Sequence, residues 1–321
     1  MFLSKTRLVV VCILFCSCGS GQDQKVSIIG RTALFDSRSN IIHLRNDSSW
    51  REIELKGDKK KSYSGLILNN TTDNFLVVEY SQNKSGRTVE GDIIEFSING
   101  DSINKVFDSK TGELVGNLCL SKNDTKLLFT LENDYFNPSD PLGQLNRPIN
   151  ILIMDFKKRQ IIRKLDTVGM SLNVWINDAP WLGNENCFIY DFRTDRKIKM
   201  YNDTSEERMT GQAGIYLYDI NLDKNSLLIP DGYSGAVSPL EDKIAYLKNK
   251  SIYVYNVNTR SNELLYSLSS KEKTAFVNWT PNGEYIYFES YSVNNFGNDG
   301  AFLIRISDKR KLRTEWIKTF Y

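Results

Sequence analysis

Polar turn residues followed at once by a continuous apolar run form a nine-residue pattern that recurs along most of this chain. It reads Ser121-Lys-Asn-Asp-Thr-Lys-Leu-Leu-Phe129, Ser238-Pro-Leu-Glu-Asp-Lys-Ile-Ala-Tyr246 and Thr280-Pro-Asn-Gly-Glu-Tyr-Ile-Tyr-Phe288, with looser copies from Leu182 to Tyr190 and from Asn70 to Val78. Pro239 and Pro281-Asn282-Gly283 supply the preset or positive φ that a tight reversal needs. A second apolar run ending in a polar residue follows each copy after a variable connection: Ile151 to Asp155, Ile215 to Asp219, Ile252 to Asn256, and less cleanly Ile93 to Ser97 and Phe302 to Ile306. These runs are rich in β-branched and aromatic residues, as a pleated and largely buried surface prefers.

Another short apolar stretch precedes each copy, such as Ala275 to Trp279, and an outer segment such as Glu263 to Tyr266 follows the second run. Each unit therefore predicts four strands. The first positions of the copies, 70, 121, 182, 238 and 280, lie 51, 61, 56 and 42 residues apart, a spacing that fits repeated β units with room for insertions. A lone four-stranded sheet leaves both faces uncovered, so neighbouring sheets must stack to bury a core. Five units plus an irregular first one, Thr32 to Phe35, Ile41 to Leu44 and Trp50 to Leu55, predict an all-β chain. The expected architecture is a six-bladed β-propeller of four-stranded antiparallel blades, with seven blades, a β-sandwich or two small β domains as the alternatives. An irregular first unit suits a closing blade, in which strands from both chain ends often complete one sheet.

The segment Trp279-Thr-Pro-Asn-Gly-Glu-Tyr-Ile-Tyr-Phe288, with its loop and an Ile-Tyr-Val-Tyr-Asn strand as at Ile252 to Asn256, resembles the TolB-type propeller repeat. The consensus of that repeat runs Trp-Ser-Pro-Asp-Gly-Lys, an apolar strand and Ile-Tyr-Val-Met-Asp. The copy at Ser238 keeps Ser-Pro but has Leu-Glu for Asp-Gly, and the earlier copies lack the Pro. The resemblance implies propeller architecture over most of the chain. It implies no activity, because the repeat serves binding scaffolds, protease gating domains and a few lyases.

At the N-terminus Lys5 and Arg7 precede the apolar run Leu8 to Phe15, and Cys16-Ser-Cys18-Gly-Ser-Gly follows. That order of basic, apolar and small residues matches a secretory signal, and the run is too short to span a bilayer. Cys18, preceded by small residues and followed by Gly19-Ser20, resembles a bacterial lipoprotein processing site. The expectation is a signal peptide at 1–17, lipidation of Cys18, a tether at 18–27 and one propeller domain at 28–321. Cys16 is the alternative acceptor, although bulky Phe15 before it is a poor cleavage residue. Gly19 rather than Asp after the lipidated residue points to the outer membrane, on either leaflet. A plain secreted protein and an uncleaved anchor are the other readings of this segment.

The whole chain has 41 Lys and Arg against 39 Asp and Glu. Removing Lys5 and Arg7 brings the two signs level, which leaves no basic footprint for nucleic acid. The run Lys59-Lys60-Lys61 reads as a turn between strands. Of five cysteines, Cys119 and Cys187 remain beyond the signal and Cys18, each in an apolar strand context that suits a buried thiol. The single histidine, His43, reads as structural, and no metal-ligand spacing or cofactor motif is present. Gly232-Tyr-Ser-Gly235 lacks the spacing of a nucleophile elbow. Asp219-Ile-Asn-Leu-Asp-Lys-Asn225 lacks the Gly and distal Glu of a calcium loop, and the sister segment Asn256-Val-Asn258, in the equivalent place of another unit, marks it as a strand-end turn.

The variable insertions fall between the second and third strands: Tyr80 to Gly91, Glu132 to Asn150, Phe192 to Gly214 and Glu289 to Ala301. Antiparallel alternation puts them at one end of the blades, and loops on a rigid scaffold are where binding usually lives. The expected binding residues are Tyr135, Phe136 and Arg147, then Arg193, Arg196 and Tyr201, then Tyr291 and Phe296. Aromatics beside amides and charges can stack on a sugar or anchor a protein interface. The favoured function is a non-enzymatic envelope scaffold, held to the membrane by its lipid alone, that binds a protein partner or an envelope glycan. The alternatives are a polysaccharide lyase or hydrolase using carboxylates and Tyr at the channel mouth, and a purely structural component.

Overall fold

The computed structural model describes residues 32–36, 39–46, 49–58, 61–69, 71–82, 88–133, 148–170, 174–176, 180–193, 212–274, 276–280, 282–292 and 298–314. Among the described residues all regular elements are strands, arranged in six antiparallel sheets, each drawn from one contiguous stretch of chain. The first holds β1 (Thr32–Asp36), β2 (Ile41–Asn46) and β3 (Ser49–Glu54). The second holds β4 (Ser62–Leu68), β5 (Phe75–Gln82), β6 (Thr88–Phe96) and β7 (Ser102–Phe107), and the third β8 (Glu113–Leu120), β9 (Lys126–Asn133), β10 (Pro148–Asp155) and β11 (Gln160–Met170).

After the two-residue β12 (Val174–Trp175), the fourth sheet runs through β13 (Trp181–Leu182), β14 (Cys187–Phe192), β15 (Gly214–Asp219) and β16 (Lys224–Pro230). The fifth has β17 (Tyr233–Val237), β18 (Lys243–Lys248), β19 (Ser251–Asn256) and β20 (Ser261–Ser267). In the sixth, β21 (Glu272–Lys273) and β22 (Val277–Trp279) both pair with β23 (Tyr285–Ser292), followed by β24 (Asn298–Arg305) and β25 (Lys311–Thr314). Two details depart from the expectation of uniform four-stranded units. The described strands of the first sheet number three, all from residues 32–54, and the C-terminal strand β25 belongs to the sixth sheet rather than completing the first.

The chain divides into two compact units, one holding Ala33–Asp178 and the other Ala179–Asp191 with Gly214–Tyr321. In the first unit Phe75 and Val77 of β5 pack with Ile42, Leu44 and Ile53 of the first sheet, while Leu76 and Val78 pack with Leu127, Phe129 and Met154 of the third. Successive side chains of a strand point to opposite faces, so a strand covered on both faces must be apolar at every position. That is why the second strands read as unbroken apolar runs. In the second unit Ile244 and Tyr246 meet Ile189 and Ile215 of the fourth sheet, and Ala245 and Leu247 meet Ile286 and Phe288 of the sixth. Cross-strand aromatic pairs recur here: Tyr190 with Tyr216, Tyr246 with Tyr253, and Phe288 with Phe302, centroids 5.5–5.6 Å apart.

The turns explain the repeat. Ser121, Ser238 and Thr280 open copies in which the first residue's N–H donates to the carbonyl five residues on, and its hydroxyl accepts the N–H of that same residue. The fourth position of these copies and of the one at Leu182 is left-handed: Asp124 (φ 53), Glu185 (φ 68), Glu241 (φ 58) and Gly283 (φ 69). The remaining copy starts at Asn69, one residue before the expected Asn70. It is the Asn69 N–H that donates to the Asn74 carbonyl, and the Asn69 Oδ1 that accepts from Thr71 and Thr72. Its left-handed residue is Asp73 (φ 63).

Two of these fourth-position acids also tie neighbouring sheets. Asp124 Oδ2 accepts the Thr71 N–H at 2.8 Å, joining the third sheet to the second. Glu241 Oε2 accepts the Asn184 N–H at 2.9 Å, joining the fifth sheet to the fourth. Both donors occupy the third position of the preceding copy, so the two ties are equivalent within the repeat.

Candidate functional site

In every sheet from the second to the sixth, the connection between second and third strands leaves from the end opposite these turns. The connections are residues 83–87, 134–147, 193–213, 249–250 and 293–297. The fifth sheet's is a two-residue turn, Asn249-Lys250, with both φ positive (48 and 56), the geometry of a tight hairpin. Long connections therefore sit on the third and fourth sheets, as their sequence spacing predicts.

Most of the expected binding residues fall on those connections. Tyr135, Phe136, Arg147, Arg196, Tyr201 and Phe296, and also Cys18, lie outside the described residues. Arg193 follows β14 directly and is half-buried. Tyr291 is placed on β23, where its backbone pairs with Lys273 of β21. The two described positions belong to the fourth and sixth sheets, at the same loop-bearing ends.

What the described residues place beneath those ends is a set of buried polar groups that the sequence reading did not single out. Asp191, 3% exposed, lies near the end of β14. Its carboxylate accepts from the N–H groups of Ser234 and Gly235 at the start of β17, the Gly235 bond being 3.2 Å long. Ser234 is itself left-handed (φ 56), which turns both amides toward one carboxylate. Its hydroxyl accepts the Val277 N–H of β22 at 3.1 Å, and the Trp279 indole N–H donates to the Ala236 carbonyl at 2.9 Å. One continuous polar thread thus runs across the fourth, fifth and sixth sheets. Gly235 leaves room here: a Cβ would sit 2.9 Å from the Ile215 Cδ1 and 3.0 Å from the Ile189 Cδ1, so both side-chain ends would have to shift. On β23 the Tyr287 hydroxyl donates to buried Glu289 at 2.8 Å.

The first unit has its own loop-end network. Tyr63 donates to Glu79 Oε2 at 2.9 Å, and the Lys61 ammonium lies 3.4 Å from Oε1 of the same carboxylate. Burial, reinforced by the Glu79 bond and charge, pushes the Tyr63 phenol well above its ordinary value. Lys61, expected in a solvated turn, is instead half-buried against Glu79. Asp92 on β6 accepts from Lys105 at 2.8 Å, from the Ser109 N–H at 2.9 Å and from its hydroxyl at 3.1 Å. Burial raises its carboxyl, but these bonds outweigh it and hold Asp92 below the usual range.

Chemically these carboxylates are acceptors already committed to neighbours, which suits a rigid platform. Among the described residues no three His, Cys, Asp or Glu side chains group as metal ligands, and no helix is long and apolar enough to cross a membrane. His43 is buried, with Nδ1 3.5 Å from Glu52 across the β2–β3 pair. Cys119 is a buried thiol whose Sγ donates to the Asn117 carbonyl at 3.7 Å. The Asp219 segment is a strand-end turn in which Oδ1 accepts the Asn221 and Leu222 amides, matched in the fifth sheet by Asn256 with Asn258 and Thr259.

No protein-family model matches the chain. Among curated proteins, a BTB/POZ domain-containing protein of Acanthamoeba polyphaga mimivirus is 23% identical over 257 residues, covering 78% of this chain. The matching stretch is 49% of that protein, so the chain spans about half the length of its curated relative. Among solved structures, TolB from Acinetobacter baumannii superposes with a TM-score of 0.54 at 16% identity, over 88% of this chain and 62% of that one. An oligogalacturonate lyase from Vibrio parahaemolyticus gives a TM-score of 0.58 at 12% identity, over 88% and 73% of the two chains. At such identities the likeness is one of fold. The fold is an all-β propeller, with the six sheets as its blades.

Proposed function

We infer that this chain is a non-enzymatic binding scaffold, tethered in the cell envelope through a lipid on Cys18, that engages a protein partner or an envelope glycan through the loop-bearing ends of its sheets. The carrying observation is the contrast between the two sheet ends. Tight, hydrogen-bonded turns with a fixed left-handed residue close one end of the sheets, while the longest connections between second and third strands, 134–147 and 193–213, leave from the other, and in the second unit that end carries the buried polar groups of Asp191 and Ser234. A scaffold that rigid holds loops for recognition without needing its own carboxylates free. The lipid anchor is supported by the basic, apolar and small-residue order before Cys18 and the outer-membrane address by Gly19.

Two experiments test the two halves. Mass spectrometry of the mature N-terminus, with Cys18→Ser as control, should find a diacylglyceryl-modified cysteine in the membrane fraction; an unmodified soluble chain overturns the anchor. Capture from detergent-solubilised envelopes should retain a partner or glycan with the native protein and lose it when 193–213 is replaced by a short Gly-Ser turn. Degradation of a polysaccharide by the purified protein would instead favour the lyase or hydrolase reading, whose fold this chain shares with the oligogalacturonate lyase.

A further inference from the structure

Internal repeats supply a control that a single domain lacks, because the same turn appears several times with different side chains. The turn between third and fourth strands is built alike in four sheets, each time with a left-handed residue one place after an exposed one: Lys158 before Arg159 (φ 54), Leu222 before Asp223 (φ 49), Thr259 before Arg260 (φ 55) and Asp308 before Lys309 (φ 58). In three of them the exposed residue's N–H donates to the Asp or Asn three places earlier, whether Lys, Leu or Thr stands there, yet Leu222 is 72% exposed. The third position of the nine-residue copies tells the same story. It is Thr71, Asn123, Asn184 and Asn282 in four copies and Leu240, 80% exposed, in the fifth. Both leucines stand where every sister turn carries a polar residue, so the fold does not ask for either.

The two lie on adjacent sheets at the same turn-bearing end, linked through the turn at 183–186. The Ile220 N–H beside Leu222 donates to the Asn186 carbonyl of that turn at 2.9 Å, and the turn's Asn184 N–H donates to Glu241 beside Leu240 at 2.9 Å. The flanking charges are unbalanced: Asp219, Asp223, Glu241 and Asp242 against Lys224 and Lys243. Exposed apolar side chains flanked by net negative charge are complementary to apolar side chains flanked by Lys or Arg.

We propose that the turn-bearing end of the fourth and fifth sheets, centred on Leu222 and Leu240, is a second interaction surface, distinct from the loop-bearing end, that docks a basic amphipathic peptide segment of a partner protein. The probe is a synthetic fourteen-residue Leu/Lys amphipathic peptide, with a Leu/Glu peptide of the same pattern as counterpart, followed by fluorescence anisotropy against the full mature chain. The test variant is Leu222→Thr with Leu240→Asn, each leucine replaced by the residue of a sister turn. The Leu/Lys peptide should bind, weaken at least tenfold in the double variant and weaken with added salt, and the Leu/Glu peptide should not bind. The thermal midpoint of the variant should match the parent. Equal binding by parent and variant, equal binding of both peptides, or a fall in the variant's midpoint would each overturn the proposal. So would a parent that dimerises by light scattering while the variant is monomeric, because the occupant would then be a second copy of this chain.

Discussion

Glu241 carries two opposed contributions, and separating them tests the inter-sheet tie. Its φ of 58 places an L-residue in the left-handed region, which costs about 1–2 kcal/mol relative to glycine. Its carboxylate accepts the Asn184 N–H at 2.9 Å in a solvent-exposed bond; a charged hydrogen bond contributes ~1.5–3 kcal/mol when well shielded, and no more than the lower end of that here. Glu241→Ala keeps the backbone strain and loses the bond, so it should cost about 1.5 kcal/mol. Glu241→Gly loses the same bond but removes the strain, offset by ~0.5–1 kcal/mol of extra chain entropy in the unfolded state, for a net loss near ~1 kcal/mol. Glu241→Gln, which retains a neutral acceptor, should fall closest to the parent. At this chain length the Gly variant should melt roughly 1–3 °C above the Ala variant, read by thermal and urea unfolding in parallel. Asp124→Gly and Asp124→Ala should show the same order, because Asp124 (φ 53) makes the equivalent bond to Thr71. An Ala variant as stable as the parent would refute the tie, and a Gly variant below Ala would refute the strain.

Three further outcomes follow from the buried polar groups. Glu272 lies 2.7 Å from Lys311, whose ammonium also sits 3.9 Å over the Phe302 ring; burial raises the Glu272 carboxyl, but the bonds from Lys311 and Ser269 outweigh it and lower it. A depressed folded value means stability that is full above the unfolded carboxylate value near ~4.3 and lost as pH falls through the lower folded one, so urea titrations should steepen in that acid window and flatten there in Lys311→Met. Asp191→Ala should cost on the order of 2–4 kcal/mol, because two buried amides lose their acceptor, with Asp191→Asn milder; equal urea midpoints would show that the thread contributes nothing. Ser290 is fully buried, and its hydroxyl has no partner among the described residues, so Ser290→Ala should be neutral or stabilising by up to ~1 kcal/mol, and a loss above that would reveal a hidden partner.

The strands were legible because their physics is local. A strand covered on both faces must be apolar throughout, and Phe75-Leu76-Val77-Val78 or Ile286-Tyr287-Phe288 announces that without any neighbour in view. Even the irregular first sheet follows the segments at Thr32, Ile41 and Trp50. The phase of the first full copy was less legible. Asn69 and Asn70 are the same residue type, and only the hydrogen bonds show that Asn69 caps the turn. The site escaped for a different reason. Asp191 after Phe188-Ile189-Tyr190 reads as a strand running out into water, and its role appears only when β17, more than forty residues later, brings two amides to it. The ties from Asp124 and Glu241 are non-local in the same way, each reaching a copy more than fifty residues earlier.

Binding through the loop-bearing sheet ends is best tested by site-specific photo-crosslinking in intact cells. A photoreactive residue is placed singly at Tyr201 on the 193–213 connection, at Tyr291 on β23, and at exposed Lys158 in the turn between β10 and β11, away from the surface of Leu222 and Leu240. The account predicts a discrete adduct from Tyr201 and Tyr291 that is absent from Lys158. Adducts from Lys158 alone, or none from either loop-end position in a folded and correctly processed protein, would contradict it.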